Sequence, residues 1–198
     1  MQRKTFKGML CPVARTLDRV GEWWSILILR DAFHGLTRFD QFQTSLEIAP
    51  NMLTRRLNSL VEAGLLERRL YSEHPPRSEY VLTDKGRDFW SVLVSLTAYG
   101  NRHFAKEGVA SQLQDAETGA PADPVLFDRA SGRLIDPKHF KFAPGPGADA
   151  TLRSRMRYAD ARRARSEGHE EWDAYVRAKH ESKSRRRPGR RRASKRAG

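Results

Sequence analysis

The segment IAPNMLTRRLNSLVEAGLLERR, residues 48 to 69, constrains the fold more tightly than any other part of the chain. With about 100° of turn per residue, Leu57, Leu60 and Val61 fall within about 80° of Leu53, while Asn51, Thr54, Arg55, Asn58 and Glu62 point away. Such a helix has one face for a core and a second, polar face to be explained. Pro50 suits its first turn, where the missing N–H would have no partner. Gly64 can take the left-handed conformation that closes it.

The outward face carries the side chains that a major-groove helix uses. Arg55 suits the N7 and O6 edge of guanine, Asn51 and Asn58 are amides of the type that pair with adenine, and Thr54 adds a hydroxyl. A plain solvated face would also account for them, so the neighbouring elements matter. Upstream, Val13, Leu17, Val20, Trp23, Trp24, Leu27 and Ile28 recur mostly at three- and four-residue steps, predicting two helices broken at Gly21. Thr37, three residues before Asp40, predicts a capped helix over Phe39 to Leu46.

Downstream, LLERRLYSEHPPRSEYVL predicts two strands around a loop with Pro75 and Pro76. Thr83 then caps a long helix with Asp84 in its first turn and Phe89, Trp90, Leu93, Leu96 and Tyr99 along its buried face. The fold class is therefore mainly α with a small β-hairpin wing: a winged helix-turn-helix, in which a first helix braces a second across the groove. In the wing, Arg68, Arg69, His74 and Arg77 are candidates for phosphate or minor-groove contact; each alone reads more readily as a solvated charge, and together they favour a nucleic-acid surface.

Other functions find little support. The histidines show no metal-ligand spacing, and Cys11 has no second cysteine to complete a zinc site or a disulfide. P-loop and nucleophile-elbow motifs are absent, and GPGAD lacks the final glycine and the strand-to-helix setting of a dinucleotide fingerprint. No enzyme, cofactor or metal is expected. The start MQRKTFKGML has no apolar run behind it, and WWSILIL is far short of the about 20 residues that a bilayer requires, so no membrane association and a cytoplasmic location follow.

Charge divides the chain. Residues 1 to 150 hold 20 Lys and Arg against 18 Asp and Glu, whereas 151 to 198 hold 17 against 6. A tail of this kind is drawn to polyanions by counterion release without sequence preference, or stays unbound and solubilising. After about Lys106 the helical pattern loosens. DPVLFDRASGRLIDP predicts two short strands joined through Ala130-Ser131-Gly132, and APGPGADA predicts a linker. Val125, Leu126, Phe127, Leu134 and Ile135 either pack that hairpin onto the body or surround a small-molecule surface. Tyr158, Trp172 and Tyr175 fall on a helix-compatible stretch before the terminal run RRRPGRRRASKR, whose bias predicts disorder. No internal repeat is evident.

The runs CPVARTLDRVGEWWSILILRDAFHGLTRFDQFQ and IAPNMLTRRLNSLVEAGLLERRLYSEHPPRSEYVLTDKG resemble the HxlR family of bacterial winged helix-turn-helix transcriptional regulators. The CPV, GEWW, LTRRLNSLVEAGLL and PPRSEYVLT motifs agree in order and spacing over about residues 8 to 105. Where many family members have a capping Ser, this chain has Ala49, a change worth about 1 kcal/mol that Pro50 offsets in part. The resemblance implies a homodimer on double-stranded DNA with a pseudo-palindromic operator, acting as a repressor, with contacts from the N-terminal segment and the helix after the wing. Val92, Leu93, Leu96 and Tyr99 are the candidate seam, or else core. The implied spacing between recognition helices is about 34 Å or a whole multiple.

In some family members a cysteine at the position of Cys11 senses oxidants or electrophiles; a buried structural cysteine is the plainer alternative. The segment from Asp123 to Pro146 also resembles an extension found in longer relatives. The expected organisation is a DNA-binding and dimerisation domain over 8–105, an extension over 106–148 and a basic, partly disordered tail over 149–198. An effector, if one exists, is unidentified at this level. The rival from another class is a nucleoid-associated or RNA-binding structural protein driven by its tail.

Overall fold

A computed structural model describes residues 10–164 of the 198-residue chain. The run from residue 165 onward, with Trp172, Tyr175 and the terminal arginines, lies outside the described residues. Four helices come first: α1 (Pro12–Val20), α2 (Trp23–Phe33), α3 (Phe39–Leu46) and α4 (Pro50–Glu62). An antiparallel hairpin follows, β1 (Leu66–Glu73) and β2 (Pro76–Leu82), then α5 (Asp84–Arg87), α6 (Trp90–Phe104) and, much later, α7 (Ala150–Ala164). The fold is mostly helical with a two-stranded wing.

The expected punctuation holds at several points. Pro50 opens α4 behind an Ala49 that makes no side-chain cap, Gly64 sits at φ 69°, and the Thr83 hydroxyl accepts from the Gly86 amide at 3.0 Å. Two expectations differ. The cap of α3 is not the Thr37 hydroxyl: the Gln41 side-chain oxygen reaches back to accept from the amides of Thr37 and Arg38, each at 3.0 Å. A carboxamide three residues inside the helix outreaches a short hydroxyl, and Asp40 still lies in the first turn. The single long helix after Thr83 is interrupted at Asp88 and Phe89, where Phe89 N–H bonds back to Gly86 at 3.1 Å and tightens the chain before α6.

One core cluster unites these elements. Ile28 and Leu29 from α2, Phe42 from α3, and Leu53, Leu57 and Leu60 from α4 are fully inaccessible to solvent. Leu66, Tyr80, Phe89 and Leu93 close the cluster from the hairpin and α6. Burying each such side chain is worth about 1.5 to 3 kcal/mol. The wing is fixed to this body by a third short strand segment: Tyr80 N–H donates to Thr37 C=O at 2.7 Å, and Arg38 bridges to Glu79. The Arg38 guanidinium also lies over the Tyr71 ring, 4.8 Å from its centre.

The chain divides into two compact units, residues 1–141 and 142–198. In the first, the region after α6 contains two small hairpins of one pattern, where a single hairpin and no repeat were expected. Asp115 N–H donates to Ala120 C=O and Gly119 N–H to Asp115 C=O; Asp128 N–H donates to Arg133 C=O and Gly132 N–H to Asp128 C=O. In each, the Asp carboxylate accepts backbone amides two and three residues on. The amides of Thr118 and Glu117 hold the Asp115 carboxyl below its ordinary pKa. The Ser131 hydroxyl and amide do the same for Asp128.

Val125, Leu126, Phe127, Leu134 and Ile135 all remain exposed, which removes the first of the two alternatives read from the sequence, that they pack the hairpin onto the body. These hairpins are held by their own turn chemistry and need no apolar floor. In the second unit the linker ends as a helix cap: Asp149 accepts from the Leu152 amide at 2.7 Å and starts α7.

One position tests the packing of α5. A Cβ on Gly86 would lie 2.0 Å from the Leu65 carbonyl oxygen, a backbone atom that cannot give way. Gly86→Ala is expected to destabilise the protein by about 1 to 3 kcal/mol, read as a lowered midpoint in urea with an unchanged slope.

Candidate nucleic-acid interface

The polar face of α4 is built by its apolar one. With Leu53, Leu57 and Leu60 locked into the core, helix geometry leaves Asn51, Thr54, Arg55 and Asn58 on the opposite side, and all four are exposed. They span an arc of about 100°. The start of the helix is set by the turn before it. Glu47 adopts φ 49°, a left-handed conformation, and reverses the chain between α3 and α4. Within the helix the Thr54 hydroxyl donates to Pro50 C=O at 2.9 Å and the Ser59 hydroxyl to Arg55 C=O at 2.9 Å. Arg55 and the two asparagine amides form no hydrogen bond or ion pair with their side chains among the described residues and present their donors outward.

Arg56 departs from the sequence-based picture of this helix. Its side chain is 8% exposed and ion-pairs with Glu22 at 3.2 Å, while its Nε has no hydrogen-bond partner. Glu22 occupies the N-cap of α2 but makes no side-chain cap there; its carboxylate turns to α4 instead. The spacing does contain the signal, because Arg56 falls about 60° from Leu53, on the buried side. It is the one charged side chain that α4 sends inward.

On the wing, Arg68, Arg69, His74 and Arg77 are all exposed. His74 lies in the turn between the strands, and Arg77 near the tip pairs across with Ser72. Arg69 differs from the others, because it holds Glu67 at 3.0 Å and faces Glu79 across the ladder. That contact lowers the Glu67 pKa and raises that of Arg69. Any phosphate approaching Arg69 competes with a carboxylate already in place. Arg68 is registered opposite Tyr80 and carries no such partner among the described residues.

The candidate seam on α6 separates into two groups. Leu93 turns inward and belongs to the core, 8% exposed, whereas Val92, Leu96 and Tyr99 lie open at 41%, 46% and 56%. On α1, Val13 and Leu17 are likewise exposed, and Cys11 is half-buried at the N-cap, just ahead of Pro12. Among the described residues no three metal-ligating side chains cluster, and no helix is long and apolar enough to cross a membrane.

The profile of HxlR-like helix-turn-helix proteins matches residues 19–108. The uncharacterised HTH-type transcriptional regulator Rv3095 of Mycobacterium tuberculosis is 41% identical over 143 residues, 72% of this chain and 90% of that one. A solved structure of PA1374, a proposed transcription factor of Pseudomonas aeruginosa, is 53% identical with a TM-score of 0.56, covering 74% of this chain and all of that one. The structure of PA1607, described in the same terms, is 37% identical with a TM-score of 0.64, covering 72% of this chain and all of that one. The 143 matched residues outnumber those preceding residue 109, so the likeness reaches past α6 into the extension. These relatives are transcriptional regulators rather than enzymes.

The Arg56–Glu22 pair makes a specific demand on stability. Removing one partner leaves a buried charge uncompensated, which costs about 3 kcal/mol. Glu22→Ala is expected to lose about that much in chemical denaturation. The double variant Glu22→Ala/Arg56→Met should recover most of it, since the stranded charge is gone.

Proposed function

The chain belongs to the HxlR-like helix-turn-helix family, and from that membership we propose that it is a DNA-binding transcriptional regulator reading its operator with α4. The observation that carries this reading is the exposed set Asn51, Thr54, Arg55 and Asn58 on a helix whose other side is fully buried. Arg55 would take a guanine edge and the asparagines adenine edges in the major groove. Arg68, His74 and Arg77 would meet phosphates or the adjacent minor groove, with Arg69 a weaker contributor because Glu67 holds it. Acting as a repressor is the simplest mode for a protein that occupies promoter DNA.

The finer reading has the working species as a homodimer on a pseudo-palindromic site. One module reads few base edges and discriminates poorly; two held rigidly multiply the discrimination. The open apolar residues Val92, Leu96 and Tyr99 on α6, with Val13 and Leu17 on α1, support a seam between copies. Domain limits of 8–105, 106–148 and 149–198 belong to the same reading, with the basic tail adding affinity for any sequence. A further element is oxidant sensing at Cys11, supported by its half-buried thiol at the N-cap of α1.

Recovery of bound fragments from random duplexes tests the whole reading; the expected product is a motif with twofold symmetry. Arg55→Ala should lose discrimination of about 1 to 3 kcal/mol at one base pair, while deletion of residues 151 to 198 should weaken all sequences alike and flatten the salt dependence. Sedimentation at micromolar concentration should show a dimer, and Leu96→Asp should shift it towards monomer. Diamide treatment should change operator affinity, and Cys11→Ser should abolish that response.

A further inference from the structure

A groove of about 310 Å³ runs between α2 and α6, walled on its third side by the segment Ser111–Leu113. Its apolar lining comes from Ile26, Leu27 and Phe33 on α2 and from Trp90, Leu93 and Val94 on α6. Phe33 and Trp90 stack obliquely there, ring centres 5.1 Å apart. Two cationic or potentially cationic side chains stand in the same lining, Arg30 and His34, and no carboxylate does. The wall holds its place through α6, because the Asn101 side-chain amide donates to Ser111 C=O at 2.8 Å.

The groove is distinct from the open seam residues on the same helix. On α6, Val92, Leu96 and Tyr99 cover an arc of about 60°, while Trp90, Val94 and Thr97 occupy an arc of about the same width centred about 160° away. Leu96 belongs to the first arc and also reaches the rim of the groove. A concave, largely apolar site with few convergent polar groups is the form that small-molecule sites take. Here the charged or chargeable side chains, Arg30 and His34, have one sign among neutral Thr97, Ser111 and Gln112, so the complementary ligand is an aromatic or compact apolar body carrying a single anionic group.

Arg30 also begins a polar chain into the helix-turn-helix. Its Nε donates to the Asp31 carboxylate at 2.9 Å and its Nη2 lies 2.7 Å from the same oxygen, leaving Nη1 without a partner among the described residues. Asp31 is 2% exposed, and its other carboxylate oxygen accepts from the Ser45 hydroxyl on α3 at 2.7 Å. An anion drawing Arg30 outward strips the buried Asp31 of its cation and leaves Ser45 as its remaining side-chain partner. Occupancy of the groove is thereby felt on α3, the helix that braces α4.

We propose that the groove between α2 and α6 is an effector site for a small aromatic carboxylate, with the carboxylate met by Arg30 and His34 and the signal carried to α3 through Asp31 and Ser45. The binding half stands by itself; the regulatory half rests on the DNA-binding reading above. The probes are 1-naphthoate and its neutral counterpart 1-naphthamide, titrated calorimetrically into the full-length protein. The acid is expected to bind at least about tenfold more tightly than the amide, a difference of about 1.4 kcal/mol. Arg30→Gln should remove that preference. His34→Gln, at an exposed position that leaves the Asp31 cluster intact, should reduce it even where Arg30→Gln fails to fold.

Equal binding of acid and amide, or no saturation of either by about 10 mM, overturns the proposal. So does loss of naphthoate binding as protein concentration rises through the monomer–dimer transition, which would make a second copy the occupant. For the regulatory half, naphthoate should change affinity for the selected duplex by about fivefold, and Ser45→Ala should abolish that change while keeping naphthoate affinity. A naphthoate response through Arg30 in a protein that shows no preferred duplex upholds the groove and overturns the DNA-binding reading instead.

Discussion

Leu53, Leu57 and Leu60 have no solvent exposure at all, and the orientation of every polar group on α4 follows from that. A helix is a rigid body over this length, so fixing one stripe fixes the opposite one to within a rotamer. The apolar stripe supplies stability but little register, because burial is non-directional and tolerates rotation or sliding by a fraction of a turn. Directional contacts have to supply the remainder. On α4 they come from the left-handed turn at Glu47, from Pro50, and from the Arg56–Glu22 pair.

Most of this helix was legible beforehand. The two faces of α4, its proline start, its glycine end and the following hairpin all come from local rules that act within a few residues. Arg56 belongs to neither set named from the sequence, although its angle puts it on the buried side, about 60° from Leu53. The cap of α3 failed for a related reason. Thr37 offers the preferred residue type, yet Gln41 offers the longer reach, and the choice between them depends on how the chain enters the helix from the wing contact at Tyr80. The buried face expected for the helix after Thr83 holds at Phe89 and Leu93 but not at Trp90, Leu96 and Tyr99, which are exposed, because all five are apolar and only the neighbouring elements decide which side is covered.

The paired hairpins after α6 were invisible for a different reason. DAETG at 115–119 and DRASG at 128–132 share an Asp, a hydroxyl residue and a glycine, too few letters for a repeat to be seen by eye. What repeats is a wiring pattern: a carboxylate that collects the amides ahead of it, and a left-handed glycine that lets the chain turn back, φ 69° in one and 66° in the other. Such turns carry their own structure and leave their apolar residues free. Exposed Phe127 and Leu134 are therefore compatible with an ordered segment, contrary to the intuition that order there requires packing on the body.

The polar links within the first unit converge on α2. Its N-terminus reaches α4 through Glu22 and Arg56, and its C-terminal half reaches α3 through Asp31 and Ser45. Both helices of the helix-turn-helix are thus referenced to one rod by polar contacts that each contain one buried charge, Arg56 or Asp31, while leucines and Phe42 fill the space between. Breaking the first strands Arg56 in the interior, whereas Asp31 keeps its Arg30 partner when Ser45 is lost, so the link to α4 resists displacement more sharply than the link to α3. Because both contacts spring from α2, a displacement of that helix bears on α3 and on α4 together.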